Sequence, residues 1–189
     1  RDENAVYRLS RFTFDWSPNR LIGRTLSVAL LHADNIDITL APRDTQAAGF
    51  EPGWFLPFHL DLRDARISNL RIHNGTAAPG VIESMSIAAS GAQEWIDLRT
   101  FAVRFAEGEV SGQGRFGLGR TVLNELTLDW QVTLPGYAPF IGQGRLSGTW
   151  DELQLTQVFR APVAAQLQAS VVEPFAALRW HAELTAPMN

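Results

Sequence analysis

The chain has 189 residues, 46% of them hydrophobic and 19% charged, which argues against disorder and leaves room for one sizeable core. A formal net charge of −4 argues against a nucleic-acid binder, which needs a basic face. Cysteine is absent, so disulfides, thiolate metal sites and cysteine nucleophiles are excluded as well. No apolar run approaches the roughly 18 residues that span a membrane as a helix, and no signal peptide is evident. The chain opens at Arg1 and not at methionine, which suggests a section excised from a longer protein.

Val6 to Trp16 is an aromatic-rich strand. Its apolar parity flips between Leu9 and Phe12, which signals a bulge or bend. Ser17-Pro18 starts one short helix near 17–23, with serine as N-cap and Gly23 as the stop. Leu26 to Leu30 fits helix and strand alike, whereas Ile36, Ile38 and Leu40 alternate cleanly up to Pro42. Arg43 to Pro57 reads as a loop, with Phe50, Trp54 and Phe55 tucked beneath it.

Phe58 to Ile72 is the most informative stretch. Its apolar positions are Phe58, Leu60, Leu62, then Ala65, Ile67, then Leu70, Ile72. Each pair keeps the strand period, and each longer step resets the parity, so one apolar surface survives while the chain bends. Asn74-Gly75 is a hairpin turn signal. Val81 to Ala89 is a further strand, and Gly91 to Glu94 turns the chain. Ile96 and Leu98 lead through another parity switch to Phe101, Val103 and Phe105, before a turn at Glu107-Gly108-Glu109.

A repeated phrase follows. Gly112-Gln113-Gly114-Arg115-Phe116 returns as Gly142-Gln143-Gly144-Arg145-Leu146, an offset of 142 − 112 = 30. Asn124-Glu125-Leu126-Thr127-Leu128 answers Asp151-Glu152-Leu153-Gln154-Leu155, an offset of 151 − 124 = 27. Leu126, Leu128 and Trp130 alternate with polar residues, as do Leu153 and Leu155. One strand–turn–strand unit is used again, with a turn of variable length absorbing the difference. Val163, Ala165, Leu167, Ala169 and Val171 form another strand, and Phe175 to Leu184 is read as the last. The expected fold is all-β: an elongated, strongly bent structure of antiparallel or stacked strands, about ten to twelve of them, forming a single section from 1 to 189 with no internal boundary.

Chemical motifs are weak. Gly112 to Gly117 matches the spacing of a dinucleotide-binding loop, but that loop must lead into a helix, and alternating Leu126, Leu128 and Trp130 lie downstream instead. His32, His59, His73 and His181 have no ligand-like spacing, so no metal or cofactor is expected. His59, Asp61 and Arg63 share a parity, which an ordinary solvated strand face explains. No nucleophile elbow is present, and no catalytic residue is assigned.

Several of these stretches resemble a known family. Asp15-Trp16-Ser17-Pro18, Leu21, Leu26, Val28 and Asn35-Ile36-Asp37-Ile38-Thr39-Leu40 look like the region that follows the membrane anchor in TamB-type proteins of the AsmA-like group. Leu56-Pro57-Phe58-His59-Leu60 through Ile72 resembles the next element of that family. So does Gly144-Arg145-Leu146-Ser147-Gly148-Thr149, running into Asp151-Glu152-Leu153 and Ala161-Pro162. The resemblance covers about Phe12 to Trp180. It implies a half-open β tube, taco-shaped, with an apolar inner face, in an envelope protein anchored in the inner membrane and extending through the periplasm of a Gram-negative cell. It implies a non-enzymatic section of a phospholipid conduit towards the outer membrane. The anchor, and the domain that meets the outer-membrane barrel TamA, would lie outside this chain. The partners expected here are phospholipid acyl chains. Candidate groove residues are Ile36, Ile38, Leu40, Phe58, Leu60, Leu62, Ile67, Leu70, Ile72, Phe101, Val103, Phe105, Leu126, Leu128, Trp130, Leu153, Leu155 and Leu167. The alternatives are a scaffold or chaperone-like module that helps outer-membrane proteins insert, and a closed β domain with an enzymatic or sugar-binding surface, in which the same side chains fill a core.

Overall fold

Period-two alternation along nearly the whole chain yields strands, and the computed structural model describes them over residues 5–40, 55–74, 79–174 and 179–186. The strands are β1 (Ala5–Trp16), β2 (Thr25–Leu40), β3 (Leu56–Asn74), β4 (Gly80–Gln93), β5 (Trp95–Phe105), β6 (Gly108–Gly117), β7 (Asn124–Val132), β8 (Phe140–Gly148), β9 (Glu152–Ala161), β10 (Ala165–Val172) and β11 (Arg179–Thr185). They form one eleven-stranded sheet in strict chain order. The sheet is bent, and β1 and β11 remain its two unpaired edges, so it does not close into a barrel. The accessible surface of the chain is 13093 Å², where a compact monomer of 20.9 kDa exposes about 9000 Å². The excess is what an open, single-layered sheet produces.

The short helix expected near 17–23 is a 3₁₀ turn, Pro18–Gly23, with proline at its start. Gly23 does not supply the left-handed stop. Arg24 does, at φ 53, and its N–H donates to the Leu21 carbonyl at 2.9 Å. Leu26 to Leu30, open between helix and strand in the sequence, lies inside β2.

Neighbouring strands are antiparallel except β2 and β3, which run parallel. The two carry one spacing of apolar residues. Leu26, Val28, Leu31, Ala33, Ile36 and Ile38 stand beside Leu60, Leu62, Ala65, Ile67, Leu70 and Ile72, an offset of 72 − 38 = 34 throughout. A three-residue step in both strands passes through Asn35 and Asn69, which have φ 53 and 54. Asparagine tolerates this left-handed conformation better than other residues with a side chain. Asn69 Nδ2 donates to Asn35 Oδ1 at 3.3 Å, joining the two kinks. The parity resets read in Phe58–Ile72 and in Ile96–Phe105 are therefore real: β3 slips against β4 between Leu62 and Ala65, and β5 against β6 between Leu98 and Phe101.

The repeated phrases form two successive hairpins, β6–β7 and β8–β9, but in different registers. Gly114 faces Leu126, whereas Gly144 faces Gln157 and not Leu153, the counterpart of Leu126. The second hairpin is thus displaced by 157 − 153 = 4 residues. An even displacement leaves every side chain on its original face. Several sequence boundaries also move. Gly91 to Gln93 and Gly108-Glu109 belong to strands, because tight turns at Gln93-Glu94 and Ala106-Glu107 suffice. Val163 precedes β10 and is 65% exposed. Phe55 is not tucked away but 61% exposed, just before β3. Phe50 and Trp54, and Gly75 of the expected hairpin turn, lie outside the described residues.

Asn124 is the largest fully buried side chain. Its Oδ1 accepts the Gly117 N–H at 3.0 Å and its Nδ2 donates to the Gly148 carbonyl at 3.1 Å, tying β6, β7 and β8 at one rim. Trp150 Nε1 donates to the Gly117 carbonyl at 2.7 Å in the same cluster, and the Trp150 ring meets Phe116 edge-on at 5.0 Å.

Candidate functional site: one apolar face across eleven strands

Side chains of directly paired residues stand on the same face of a sheet, so the register assembles rows that cross the whole molecule. One row runs Trp16, Val28, Leu62, Ala89, Leu98, Gly114, Leu126, Leu146, Leu155, Ala169, Ala182. It crosses all eleven strands without a polar residue. The next row runs Phe14, Leu31, Ala65, Ile87, Phe101, Gly112, Leu128, Gly144, Gln157, Leu167, Leu184, and its single polar member is Gln157. A third row contains Phe12, Ala33, Ile67, Met85, Val103, Val110, Trp130, Gly142 and Phe159. With ten gaps of about 4.8 Å, the face extends about 48 Å along the sheet. None of these positions bears a charge.

The sequence-derived candidates fall into this frame. Leu62, Leu126 and Leu155 belong to the first row. Phe101, Leu128 and Leu167 belong to the second, and Ile67, Val103 and Trp130 to the third. Ile36, Leu70 and Phe105 are joined through Ile82 in a further row nearer one rim, where Ile38 and Ile72 also pair. Leu60 lies towards the opposite rim, beside Leu26 and Gly91, and Leu153 does so between Gly148 and Val171. Phe58 shares the parity of Leu60 but sits where β3 leaves the β4 register, between Leu56 and Leu60. Leu40 occupies the final position of β2, and its side chain lies outside the described residues.

The structure adds members that sequence reasoning passed over: Leu26, Val28, Leu31 and Ala33 in β2, and Phe12 and Phe14 in β1. The signal was the 34-residue echo between β2 and β3, hidden because its steps alternate between two and three residues. Phe12, Phe14 and Trp16 stack along the edge strand with centroids 6.0 and 6.2 Å apart.

This face has no second layer above it among the described residues: the only element besides the strands, the 3₁₀ turn, buries none of its own residues. Phe12 and Phe14 remain 54% and 43% exposed at one edge, and Trp180 and Leu184 71% and 65% at the other. Between the edges the side chains are mostly half-buried against one another, with Val28, Ala33, Leu70, Leu126 and Leu153 buried.

Glycines shape the surface locally. A Cβ on Gly142 would overlap the Trp130 ring, and one on Gly144 would overlap the Gln157 amide. Gly112 similarly lies beneath Phe101 and Leu128. The glycine phrases are therefore floors over which larger neighbours lie. The dinucleotide reading fails on context, since Gly112 to Gly117 belong to a strand with antiparallel neighbours on both sides and the next element is β7.

The opposite face is polar. Arg115 pairs with Asp97 at 2.8 Å and lies over the Trp95 ring at 4.9 Å; Arg104 pairs with Glu109 at 2.9 Å. Asp97 holds the Arg115 guanidinium above its ordinary pKa through this hydrogen bond and its charge. Exposed pairs like these contribute little stability and keep this face solvated. Asp61 accepts from Arg63 at 3.3 Å and from Arg99 at 3.4 Å. Burial pushes its carboxyl pKa up, but the two arginines outweigh that and hold it below the usual carboxylate value. His32 and His73 lie 3.4 and 3.3 Å from Asp64 and Asp37, and no group of three acidic or histidine side chains among the described residues could hold a metal. No family model, curated protein or solved structure matches this chain.

Proposed function

We propose that this chain is a section of a lipid conduit, in which acyl chains of phospholipid lie along the uncovered apolar face. The observation that carries this reading is the pair of complete rows, through Trp16 and through Phe14, that cross every strand with no charged residue. A surface of that length with no second layer over it among the described residues is rare on a monomer and marks a place where something apolar binds. Each methylene moved from water onto it gains about 0.8 kcal/mol. The resemblance to TamB-type proteins of the AsmA-like group supports the same reading. It would place the chain in the periplasm of a Gram-negative envelope, joined to the inner membrane by an anchor and to the barrel TamA by a domain, both beyond this section. The role is carriage, not catalysis.

A charge on the strip tests the proposal. In Leu60→Arg and Val103→Asp the new charge can still reach water at an open face, so the fold should survive with a loss of about 1–3 kcal/mol. Lipid capture, read by photo-crosslinking from a probe on the strip, should fall several-fold. Unchanged capture by an intact fold would overturn the conduit reading.

A second reading rests on a different feature. β1 and β11 are free edges with unpaired N–H and C=O groups, which suit a scaffold that adds strands of unfolded outer-membrane proteins. Strand-shaped peptides competing with each other but not with lipid would favour it.

A further inference from the structure

One polar side chain stands inside the apolar strip. Gln157 sits at mid-strand in β9, flanked in its row by Gly144 and Leu167. Its Oε1 accepts the Trp130 indole N–H at 2.9 Å. An indole nitrogen only donates, so this bond fixes the amide: its oxygen faces Trp130, and its NH₂ group points the other way. That NH₂ lies over Gly144, where any Cβ would displace it, and no protein acceptor receives it among the described residues. Trp130 is itself held down, flat over Gly142 and edge-on to Phe159 at 5.5 Å. Two glycines of one repeated phrase thus make room for an oriented hydrogen-bond donor on an otherwise oily surface.

We infer that Gln157, positioned by Trp130 over Gly144, is a binding subsite for the ester carbonyl of an acyl chain lying on the strip. This rests on the lipid reading proposed above. The surroundings select the ligand chemistry. The NH₂ belongs to a half-buried side chain within reach of water, and an acceptor oxygen takes the place of that water. Its row contains no cation that would compensate a carboxylate, and a bare charge against apolar neighbours is costly. A neutral ester carbonyl satisfies the amide while its chain follows Leu128 and Leu167. Pure hydrocarbon satisfies only the strip.

The test compares vesicle-delivered diacyl phosphatidylglycerol with its diether analogue, which has the same chains and headgroup but no carbonyl. Binding is read by native mass spectrometry of the protein, and the ester carbonyl stretch by infrared spectroscopy. The parent protein should prefer the diester about fivefold, the worth of one neutral hydrogen bond, with the carbonyl band moved to lower frequency. Gln157→Leu, which fits the apolar row, should bind both lipids equally and lose the band shift. Trp130→Phe keeps an aromatic ring but removes the indole N–H that orients the amide, and should show a reduced preference. Equal binding of diester and diether by the parent overturns the subsite and leaves the conduit reading standing. A preference that persists in Gln157→Leu overturns it also. Binding of neither lipid overturns both readings together. Stronger capture of free palmitic acid than of the diester would replace the ester by a carboxylate and refute this assignment.

Discussion

β1 to β5 run 12, 16, 19, 14 and 11 residues, whereas β6 to β11 run 10, 9, 9, 10, 8 and 7. The long strands keep their apolar side on one face by inserting residues. Register slips separate β1 from β2, β3 from β4, β4 from β5 and β5 from β6, and two left-handed asparagines join the kinks of β2 and β3. Among the short strands only β8 against β9 slips, between Ile141 and Gly142. There the adaptation lies in side-chain size, with glycines on β6 and β8 beneath the large residues of β7. A strand of 19 residues would extend about 63 Å if straight, so it must bend to follow a curved sheet, and each bend needs an extra residue to return the apolar parity. A strand of nine residues can stay regular and fit its neighbours through surface relief.

The sharpest way to break this contrast is to remove one inserted residue. Deleting Asn69 leaves Ile67, Leu70 and Ile72 in plain alternation but removes the kink that matches Asn35, so Leu70 and Ile72 fall one residue out of register with Ile36 and Ile38. Leu70 is buried, and two aliphatic side chains are at stake at about 1.5–3 kcal/mol each. A loss of roughly 3–6 kcal/mol should appear as a large drop in the denaturation midpoint. A variant that melts like its parent would mean that the matched kink of β2 and β3 carries no weight.

The corresponding change in the short-strand region is Gly142→Val, which forces the Trp130 ring off its floor. Overpacking of this kind costs about 1–3 kcal/mol. The same substitution in a Trp130→Ala background should cost much less, and the double-mutant cycle should show a coupling of about 1 kcal/mol or more. Additive effects would separate the glycine from the ring.

The smallest effect concerns acid. Asp61 in β3 has a folded pKa below the usual carboxylate value, held there by Arg63 and Arg99 against the effect of burial. Its contribution is therefore fully present above the unfolded pKa and is lost as pH falls through the lower folded one. Asp61→Asn should cost under about 1 kcal/mol at neutral pH and flatten the acid limb of the stability profile. An identical acid limb in both proteins would remove Asp61 from that account.

Much of this was legible in the sequence because strand period and parity are properties of side-chain order alone. Phe58–Ile72 announced both its face and its bends, and Leu126, Leu128 and Trp130 announced theirs. The parallel pairing of β2 and β3 was not legible, since spacing says nothing about strand direction, and the connecting segment is long enough for either. The four-residue displacement of the second hairpin was hidden for a related reason: any even shift satisfies the same alternation. Gln157 shares the parity of Leu153, Leu155 and Phe159, so its place on the oily side was present in the alternation and was passed over. Only the register sets it between Gly144 and Leu167.

The strict chain order of the sheet also has a bearing on how the molecule is made. No strand waits for a partner that lies beyond its successor in the sequence. A chain delivered amino terminus first through a narrow channel can add each strand to the edge left by the one before, as a template grows. Synthesis or delivery halted between two strands would leave a shorter sheet of the same strand order, with a free edge at its growing end.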